Sequence, residues 1–299
     1  MAMEWDAPAE TPVLMPASLA EALALLAAHG EDARLLAGGQ SLLVLKRLGL
    51  VSPSALISLQ RAADLRGVAA DGGALRIGAM TTQREIEGSA RIRAGWTALA
   101  EAAGCVASPL IRRRSTIGGN LCHADPTGDP PAALIALGAV AEIVSAAGPR
   151  ALPVEALFAD YMETVLAPGE ILAAVRLPAP PPRFGSAYVK HRLRGVDTAL
   201  AGAGAGIALA ADGSVASARI GVVGGGPVPY RAAAAERHLE GAPPDDGAIA
   251  AAAALAAGQA EPFSDTEASD WYRREMIEVM TRRALRLASD RAAGRETNR

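Results

Sequence analysis

The sequence contains few cysteines and few aromatic residues. Cys105 and Cys122 are its two cysteines in 299 residues, too few for the disulfide framework of a small secreted domain and for the four thiolates of a zinc or iron–sulfur centre. Any such centre is therefore expected on another chain. Aromatic residues make up 3% and hydrophobic residues 51% of the chain, which predicts cores of small side chains in close contact.

The chain also lacks an excess of charge of either sign and lacks long apolar runs. Its formal net charge is −3 and its pI is about 5.9, so neither nucleic acid nor an anionic membrane is an expected partner. The longest apolar runs, near 131–141 and 248–257, are shorter than a membrane span. The first residues, MAMEWDAPAETPVLMP, are acidic where a signal peptide would be basic. We expect a cytoplasmic protein without a membrane span.

The length predicts two or three modest domains, and proline marks the best boundary between them. The proline-rich run at 178–183 is predicted to separate a first domain, 1–178, from a smaller one, 179–290. The first domain is expected to contain subdomains of about 1–56 and 57–178. A polar tail, 291–299, would follow, and the chain is expected to fray from Ser289 onward.

Capping signals and apolar periodicity predict a mixture of helices and strands. Ser18 with Glu21, and Thr82 with Glu85, have the spacing of capping boxes that begin helices. Another helix is predicted from about 90 to 103. Beyond the proline-rich run, three segments typical of strands precede helices at 230–240, 245–259 and 268–291. The sequence thus predicts an α+β fold.

Two double glycines are the strongest candidates for a ligand site. Gly38 and Gly39 are predicted at a strand-to-helix junction, and Gly118 and Gly119 lie in the run STIGGNLCHADPTGDPP. Backbone without a Cβ can approach a phosphate closely, and successive N–H groups can form an anion nest. Neither segment has the G-x-G-x-x-G or Walker pattern. A nucleotide site and a pair of tight turns therefore both remain open.

The other candidate site residues give weaker evidence of a ligand site. His123 follows Cys122, but no further cluster of histidine and cysteine accompanies them, so no metal site is expected. The run Arg112 to Arg114 is interpreted as a solvated turn or as a surface facing a partner subunit or the nucleotide. The GAGAG run at 202–206 favours close backbone packing within a strand over phosphate binding. No residue stands out as a catalytic acid, base or nucleophile.

The segments LLAGGQSLLVLKRL and RRRSTIGGNLCHADPTGDPPAALIALGA resemble the FAD-binding (medium) subunit of the molybdenum hydroxylase family, which includes carbon monoxide dehydrogenase and xanthine dehydrogenase. IGAMTTQREIEGS, PGEILAAVRLP and AYVKHRLRGVDTALAGAGAGIAL follow in the same order, so the resemblance covers about residues 10 to 290. It implies a two-subdomain FAD-binding domain of the PCMH type and a smaller α/β C-terminal domain. The sequence departs from the family at Val44, where relatives often have proline, and at Arg113, where they often have asparagine.

The resemblance also implies which residues contact FAD. The two double-glycine segments would hold its pyrophosphate, Asp125 would lie near ADP, Asp129 could accept hydrogen bonds from ribose hydroxyls, Leu172 would be an apolar contact, and Lys190 would reach the flavin. In the two segments the implied contacts are Leu35, Leu36, Ala37, Gly38, Gly39, Gln40, Ser41 and Leu42, and then Thr116, Ile117, Gly118, Gly119 and Asn120. Whether His123, Tyr188 or Tyr230 touches the flavin stays open.

The implied function is electron transfer in an oxidoreductase. This subunit would take electrons from 2Fe–2S clusters of a small subunit, in a complex with a large molybdopterin subunit, and pass them to an external acceptor. The family implies a dimer of heterotrimers; the substrate and the acceptor are left open. A self-contained FAD-dependent oxidase or dehydrogenase of a small molecule is the main alternative, and a nucleotide-sensing or structural subunit is another. Because a direct oxidase would need a base near the flavin, the electron-transfer interpretation is favoured.

Overall fold

The N-terminal part of the chain is a small parallel sheet with two helices. The computed structural model describes residues 11–295. This part consists of β1 (Val13–Leu14), α1 (Leu19–His29), β2 (Ala33–Leu36), α2 (Leu42–Arg47) and β3 (Ala55–Ser58). β3 lies between β1 and β2 and is parallel to both. The loop that leaves the carboxyl end of β2 contains the first double glycine.

The predicted start of α1 is confirmed in part. Ser18 Oγ accepts the Glu21 N–H at 3.2 Å, as a capping residue does. The Glu21 carboxylate returns to the N–H of Ala17, at 2.8 Å, rather than to that of Ser18. The cap therefore extends one residue further back than a capping box.

The second part of the chain is a five-stranded antiparallel sheet with helices on it. Its strand order is β4-β5-β10-β6-β7, and β8 and β9 form a separate pair. The helices are α3 (Gln83–Gly88), α4 (Ala90–Gly95), α5 (Thr97–Cys105), α6 (Pro109–Arg112), α7 (Ile117–His123) and α8 (Asp129–Ala136). The strands are β4 (Val68–Asp71), β5 (Ala74–Gly78), β6 (Val140–Ser145), β7 (Gly148–Pro153), β8 (Phe158–Asp160), β9 (Glu163–Thr164) and β10 (Ile171–Leu177).

Of the two helix predictions in this part, one is confirmed and one is wrong. The capping box of α3 is confirmed, since Thr82 and Glu85 exchange both hydrogen bonds. The single helix expected from about 90 to 103 is wrong: α4 and α5 are separated at Trp96, whose backbone leaves the helical region. The buried Trp96 ring donates its Nε1–H to Pro178 O at 2.9 Å. Tertiary packing on the proline-rich run thus interrupts a segment that is locally suited to one helix.

The C-terminal part is a four-stranded antiparallel sheet with three helices. It contains β11 (Phe184–His191), β12 (Ala201–Leu209), β13 (Val215–Val223), β14 (Tyr230–Arg231), α9 (Ala233–Leu239), α10 (Asp246–Gly258) and α11 (Asp270–Ala292). The strands pair in chain order. The predicted close packing of the GAGAG run is confirmed, because a Cβ on Gly204 would lie 2.5 Å from Ala132 O in α8. The alanines of the run belong to a core cluster with residues of α10 and α11, so β12 packs between helices of two parts of the chain.

The end of the chain differs from the expectation. α11 continues to Ala292, and Ala288, Ser289 and Ala292 are buried. Arg291 Nη2 also lies 2.7 Å from the Glu101 carboxylate in α5. Fraying from Ser289 is therefore wrong for residues 289–292, since an apolar helix face and an ion pair hold them. Residues 296–299 of the predicted tail lie outside the described residues.

The expectations about the two ends of the chain and its location stay predictions. The acidic first residues, up to residue 10, also lie outside the described part. Among residues 11–295, no helix combines the length and hydropathy that a membrane crossing requires. The three-stranded sheet includes β3 and so extends past residue 56, where the first subdomain was predicted to end. The domain boundaries and the cytoplasmic location remain expectations.

Candidate cofactor site

The two double glycines, far apart in sequence, lie against each other. We name residues 35–42 the first glycine segment and residues 115–120 the second. A Cβ on Gly38 would overlap the carbonyl of Arg114 and lie 2.9 Å from Ser115 Cα. A Cβ on Gly119 would lie 3.3 Å from Ala37 Cβ. Glycine at position 38 is thus what allows a segment from the parallel sheet to touch one from the antiparallel part.

The first glycine segment presents a run of free backbone donors. Among the described residues, no hydrogen-bond acceptor meets the backbone N–H groups of residues 38–42. Gly39 has a φ of +74°, the left-handed conformation that lets neighbouring N–H groups turn to a common side. Ser41 makes no side-chain cap to α2. Unpaired donors in a half-buried loop are costly, so this loop is suited to an anion or another acceptor.

The second glycine segment uses its backbone donors within the protein. All four amides at the start of α7 have acceptors: Ile117 N–H to Thr81 O at 3.0 Å, Gly118 N–H to Ala79 O at 2.8 Å, Gly119 N–H to Thr116 Oγ1 at 3.1 Å and Asn120 N–H to Thr116 O at 3.0 Å. The predicted amide nest is therefore wrong for this segment. The reason is that α7 begins directly against the chain that leaves β5 and is capped by its own threonine.

What the second segment offers instead is unsatisfied side-chain oxygen. Ser115 Oγ and Asn120 Oδ1 are buried and have no hydrogen-bond partner among the described residues. Buried polar atoms are normally paired, and each unpaired one calls for an explanation such as a bound ligand. Asn120 was an expected contact. Ser115 was missed, although it lies within the run that carried the resemblance, directly before Thr116.

Several implied contacts are buried in the protein. Leu36, Ile117 and Leu172 are 9%, 0% and 3% exposed, and Ile117 and Leu172 belong to one core cluster. A Cβ on Gly118 would lie 2.6 Å from Ala79 Cβ, so this glycine is needed for packing against the protein.

Asp125 shapes the loop between α7 and α8. Its Oδ1 accepts from Thr127 N–H at 2.8 Å and from Thr127 Oγ1 at 2.6 Å, and its carbonyl accepts from Gly128 N–H. Its second carboxylate oxygen has no hydrogen bond within the described part of the chain. Nearby His123 is half-buried, and burial lowers its pKa, with an opposing effect from the charge of Asp125.

Asp129 and Lys190 form a buried ion pair. Lys190 Nζ lies 2.9 Å from Asp129 Oδ2 and donates to Cys105 O at 3.2 Å. Tyr188 donates its hydroxyl to Asp129 Oδ1 at 2.6 Å. Burial raises the pKa of the Asp129 carboxyl, whereas Lys190 and Tyr188 act to lower it. Both carboxylate oxygens thus have donors in this chain, and a ribose hydroxyl would have to add to them.

Two candidates left open by the sequence take structural positions. Arg112 is buried, lies 3.1 Å from Glu87 Oε2 and donates to the carbonyls of Val106 and Ala107. Neither a solvated turn nor a nucleotide contact describes it, whereas Arg113 and Arg114 are exposed. Tyr230 donates its hydroxyl to Ala256 O at 2.8 Å within the C-terminal part.

The chain has counterparts among known proteins. Residues 8–180 match the family described as the FAD binding domain in molybdopterin dehydrogenase. The chain belongs to this family. Residues 186–288 match the CO dehydrogenase flavoprotein C-terminal domain. The resemblance and the fold class stated from the sequence are thereby confirmed, and the chain is an FAD-binding medium subunit of the oxidoreductases of the molybdenum hydroxylase family.

Individual relatives match over almost their whole length. The chain is 38% identical over 277 residues to the carbon monoxide dehydrogenase medium chain of Afipia carboxidovorans, covering 93% of this chain and 96% of that one. It is 35% identical to the 6-hydroxypseudooxynicotine dehydrogenase complex subunit alpha of Paenarthrobacter nicotinovorans, covering 92% and 93%. The solved carbon monoxide dehydrogenase from Hydrogenophaga pseudoflava matches with a TM-score of 0.92 and 36% identity, covering 95% and 99%.

The residues present fit an FAD diphosphate. Among the described residues, the amides of residues 38–42 have no acceptor, and the second segment has two buried oxygens without a partner. The two segments are brought into contact where Gly38 and Gly119 have no side chain. Donors for a doubly charged group and partners for hydroxyls thus lie on two segments that touch.

Proposed function

We propose that this chain holds FAD and passes electrons from the 2Fe–2S clusters of a small partner subunit to an external acceptor. A large molybdopterin subunit would complete the complex, as a dimer of heterotrimers. The relatives support this proposal, since they are medium chains or subunits of dehydrogenases and hydroxylases. The two cysteines support it as well, because they cannot supply the four thiolates of a 2Fe–2S cluster.

The observation that carries the proposal is the run of unpaired N–H groups at residues 38–42 beside the unpaired oxygens of Ser115 and Asn120. In the proposed site the first segment, Leu35 to Leu42, donates to the diphosphate. The second, Thr116 to Asn120, approaches it closely through Gly119. Asp125 accepts hydrogen bonds on the ADP side with its free oxygen.

The remaining proposed contacts act on the flavin side. FAD, when bound, supplies the redox chemistry, and the protein binds, orients and tunes it. Lys190 contributes positive charge, which favours added negative charge nearby, and Asp129 balances that charge at 2.9 Å. Leu172, buried in the core cluster that contains Ile117, would be an apolar contact. None of these roles requires a catalytic acid or base from this chain.

Absorbance spectroscopy of the purified full chain tests this function. The chain is reconstituted with FAD, freed of excess and mixed anaerobically with candidate small substrates, then with a reduced 2Fe–2S partner. We expect stoichiometric flavin that stays oxidised with small molecules and bleaches on addition of the partner. Bleaching by a small molecule alone would instead support a self-contained oxidase or dehydrogenase. Absence of bound flavin would refute the site itself.

A further inference from the structure

A buried polar cluster joins the FAD-binding part of the chain to the C-terminal sheet. Asp129 is the first residue of α8, directly after the loop that follows the second glycine segment. Tyr188 and Lys190 lie two residues apart on β11, so their side chains leave the same face of that strand. The Lys190 and Asp129 side chains are 2% and 5% exposed, and Tyr188 is 5% exposed.

The space for the tyrosine hydroxyl is provided by a glycine on the next strand. Gly202 pairs with Lys190 in the register of β11 and β12. A Cβ on Gly202 would lie 2.5 Å from the Tyr188 hydroxyl oxygen. Any larger residue at position 202 would displace the hydroxyl from Asp129, so the first glycine of the GAGAG run has a specific steric role here.

The backbone of Tyr188 is also held from the opposite side. Its N–H donates to Glu101 Oε2 at 2.8 Å, and Glu101 pairs with Arg291 of α11. Tyr188 is therefore held both at its backbone N–H and at its hydroxyl. Its hydroxyl hydrogen has a short bond to Asp129 Oδ1, at 2.6 Å, while Lys190 binds the other oxygen of the same carboxylate.

This arrangement divides the carboxylate charge between two donors. With the tyrosine hydroxyl present, Lys190 is one of two groups that stabilise Asp129, and the lysine has a third N–H without an acceptor among the described residues. Without the hydroxyl, the buried carboxylate would depend on Lys190 alone and would draw the ammonium more closely. Arg192, Cys105 and Glu101 are the other ionisable groups that act on this cluster.

We propose that Tyr188 is a positioning residue for the cofactor: it acts through Asp129 to set how much of the positive charge of Lys190 reaches the flavin. The inference rests on the proposed function, in which Lys190 faces the flavin. It assigns to the C-terminal domain a direct part in tuning the cofactor, by one hydroxyl and the glycine that makes room for it.

A double-mutant cycle tests this coupling. The full chain, loaded with FAD, is compared with Tyr188→Phe, Lys190→Met and the double variant by spectroelectrochemical measurement of the flavin midpoint potential. Tyr230→Phe is the matched control, since it removes another buried hydroxyl of the C-terminal part, one that bonds to Ala256 O. FAD stoichiometry and Tm are recorded for each variant.

Lys190→Met is expected to make the flavin harder to reduce by about tenfold, about 30 mV for a two-electron couple. Tyr188→Phe is expected to shift the equilibrium in the same direction by about threefold, about 15 mV, and to add nothing once Lys190 is replaced. Tyr230→Phe should leave the potential unchanged. Asp129→Asn, a second variant that keeps a polar group, should shift the potential upward while Lys190 is present.

The outcomes distinguish the role of Tyr188 from the proposed function. A shift with Lys190→Met but none with Tyr188→Phe would overturn the role of Tyr188 and leave the proposed function in place. Equal shifts from Tyr188→Phe with and without Lys190 would also overturn it, because the hydroxyl would then act by another route. No shift with Lys190→Met would refute the placement of Lys190 at the flavin, and with it this inference.

Discussion

The two glycine segments share a short sequence pattern but differ in the hydrogen bonds of their backbone. Each has a double glycine followed by a polar residue, yet residues 38–42 keep their N–H groups free, while the four amides at the start of α7 are all bonded within the protein. The first segment can therefore donate to an anion. The second contributes close approach at Gly119 and two unpaired oxygens, those of Ser115 and Asn120.

The difference arises from what each segment packs against. The second segment begins α7 directly against the chain that leaves β5. The carbonyls of Thr81 and Ala79 therefore accept the N–H groups of Ile117 and Gly118. The first leaves the edge of a three-stranded sheet, and at Gly38 the backbone of Arg114 and Ser115 lies against it. Whether a double glycine can bind an anion is thus decided by its tertiary neighbours.

The largest effect is expected at the glycine that joins the segments. In Gly38→Ala, the new methyl group would overlap the Arg114 carbonyl and force the segments apart. We expect the unfolding free energy to fall by about 1–3 kcal/mol and FAD binding to weaken about 100-fold. Thermal unfolding and flavin fluorescence titration measure the two effects. Gly88→Ala is the control, since a Cβ there meets nothing within 4 Å; equal behaviour of both variants would refute the close approach.

Neighbouring glycines of the second segment should separate folding from binding. In Gly119→Val the new Cβ would lie 3.0 Å from Thr116 Oγ1 and 3.3 Å from Ala37 Cβ, whereas in Gly118→Val it would collide with Ala79. We expect Gly119→Val to fold but to weaken FAD binding about 100-fold, and Gly118→Val to lower the unfolding free energy by about 1–3 kcal/mol. Circular dichroism and the flavin retained after gel filtration distinguish them. Stoichiometric flavin in Gly119→Val would mean that the diphosphate lies elsewhere.

The unpaired oxygens give a smaller and more selective prediction. Ser115→Ala and Asn120→Ala should each weaken FAD binding about tenfold. They should not destabilise the FAD-free chain, because each removes a buried polar atom without a partner in the described residues. Thr281→Val is the matched control: its hydroxyl is also unpaired and buried, but it lies in α11. Loss of FAD affinity in that control would show that the effect is not specific to the site.

The smallest effect concerns pH and involves His123, the last residue of α7, just beyond the second segment. Neither glycine segment itself carries an ionisable side chain. The pKa of His123 is lowered by burial, so the unfolded chain takes up a proton there more readily than the folded chain. Its contribution to stability is present above the unfolded pKa of about 6.5 and is lost as the pH falls below that value through the lower pKa of the folded chain.

A His123→Gln variant tests this sign. Between pH 7.5 and 5.5 the FAD-free variant should lose slightly less Tm than the parent chain, by about 1 °C. Differential scanning fluorimetry at both pH values is sufficient. A larger loss of Tm in the variant would show that the protonated histidine stabilises the fold, contrary to the direction of its pKa.

Much of the fold could be predicted from local signals. Ser18 and Thr82 begin helices as expected, Pro130 and Pro131 lie in the first turn of α8, and β11, β12 and β13 correspond to the three predicted strand segments. The helix predicted at 230–240 is wrong at its start, because Tyr230–Arg231 pair with β13 as β14 and α9 begins at Ala233. Strands β4 and β7 were not predicted, because their residues are largely exposed and give no alternating pattern. The break at Trp96 depends on a contact with Pro178, which no local rule contains.

The residues of the candidate site could be predicted from the sequence, but their hydrogen-bond and ion-pair partners could not. Glycine pairs and the resemblance located both segments, but two of the four acceptors of the α7 amides are the carbonyls of Ala79 and Thr81, distant in sequence. The same holds for Lys190 and Asp129, whose pairing depends on how β11 meets α8. Chemistry that depends on long-range neighbours required the three-dimensional structure.

Hydrogen exchange of individual amides, measured by NMR with and without FAD, tests the central claim most directly. The account predicts that the amides of residues 38–42 exchange fast in the FAD-free chain and slow by about tenfold or more on loading, as bonded amides do. Amides 117–120 should be protected in both states. Bound FAD with no change at residues 38–42, or new protection confined to residues 117–120, would contradict the division of roles between the two segments.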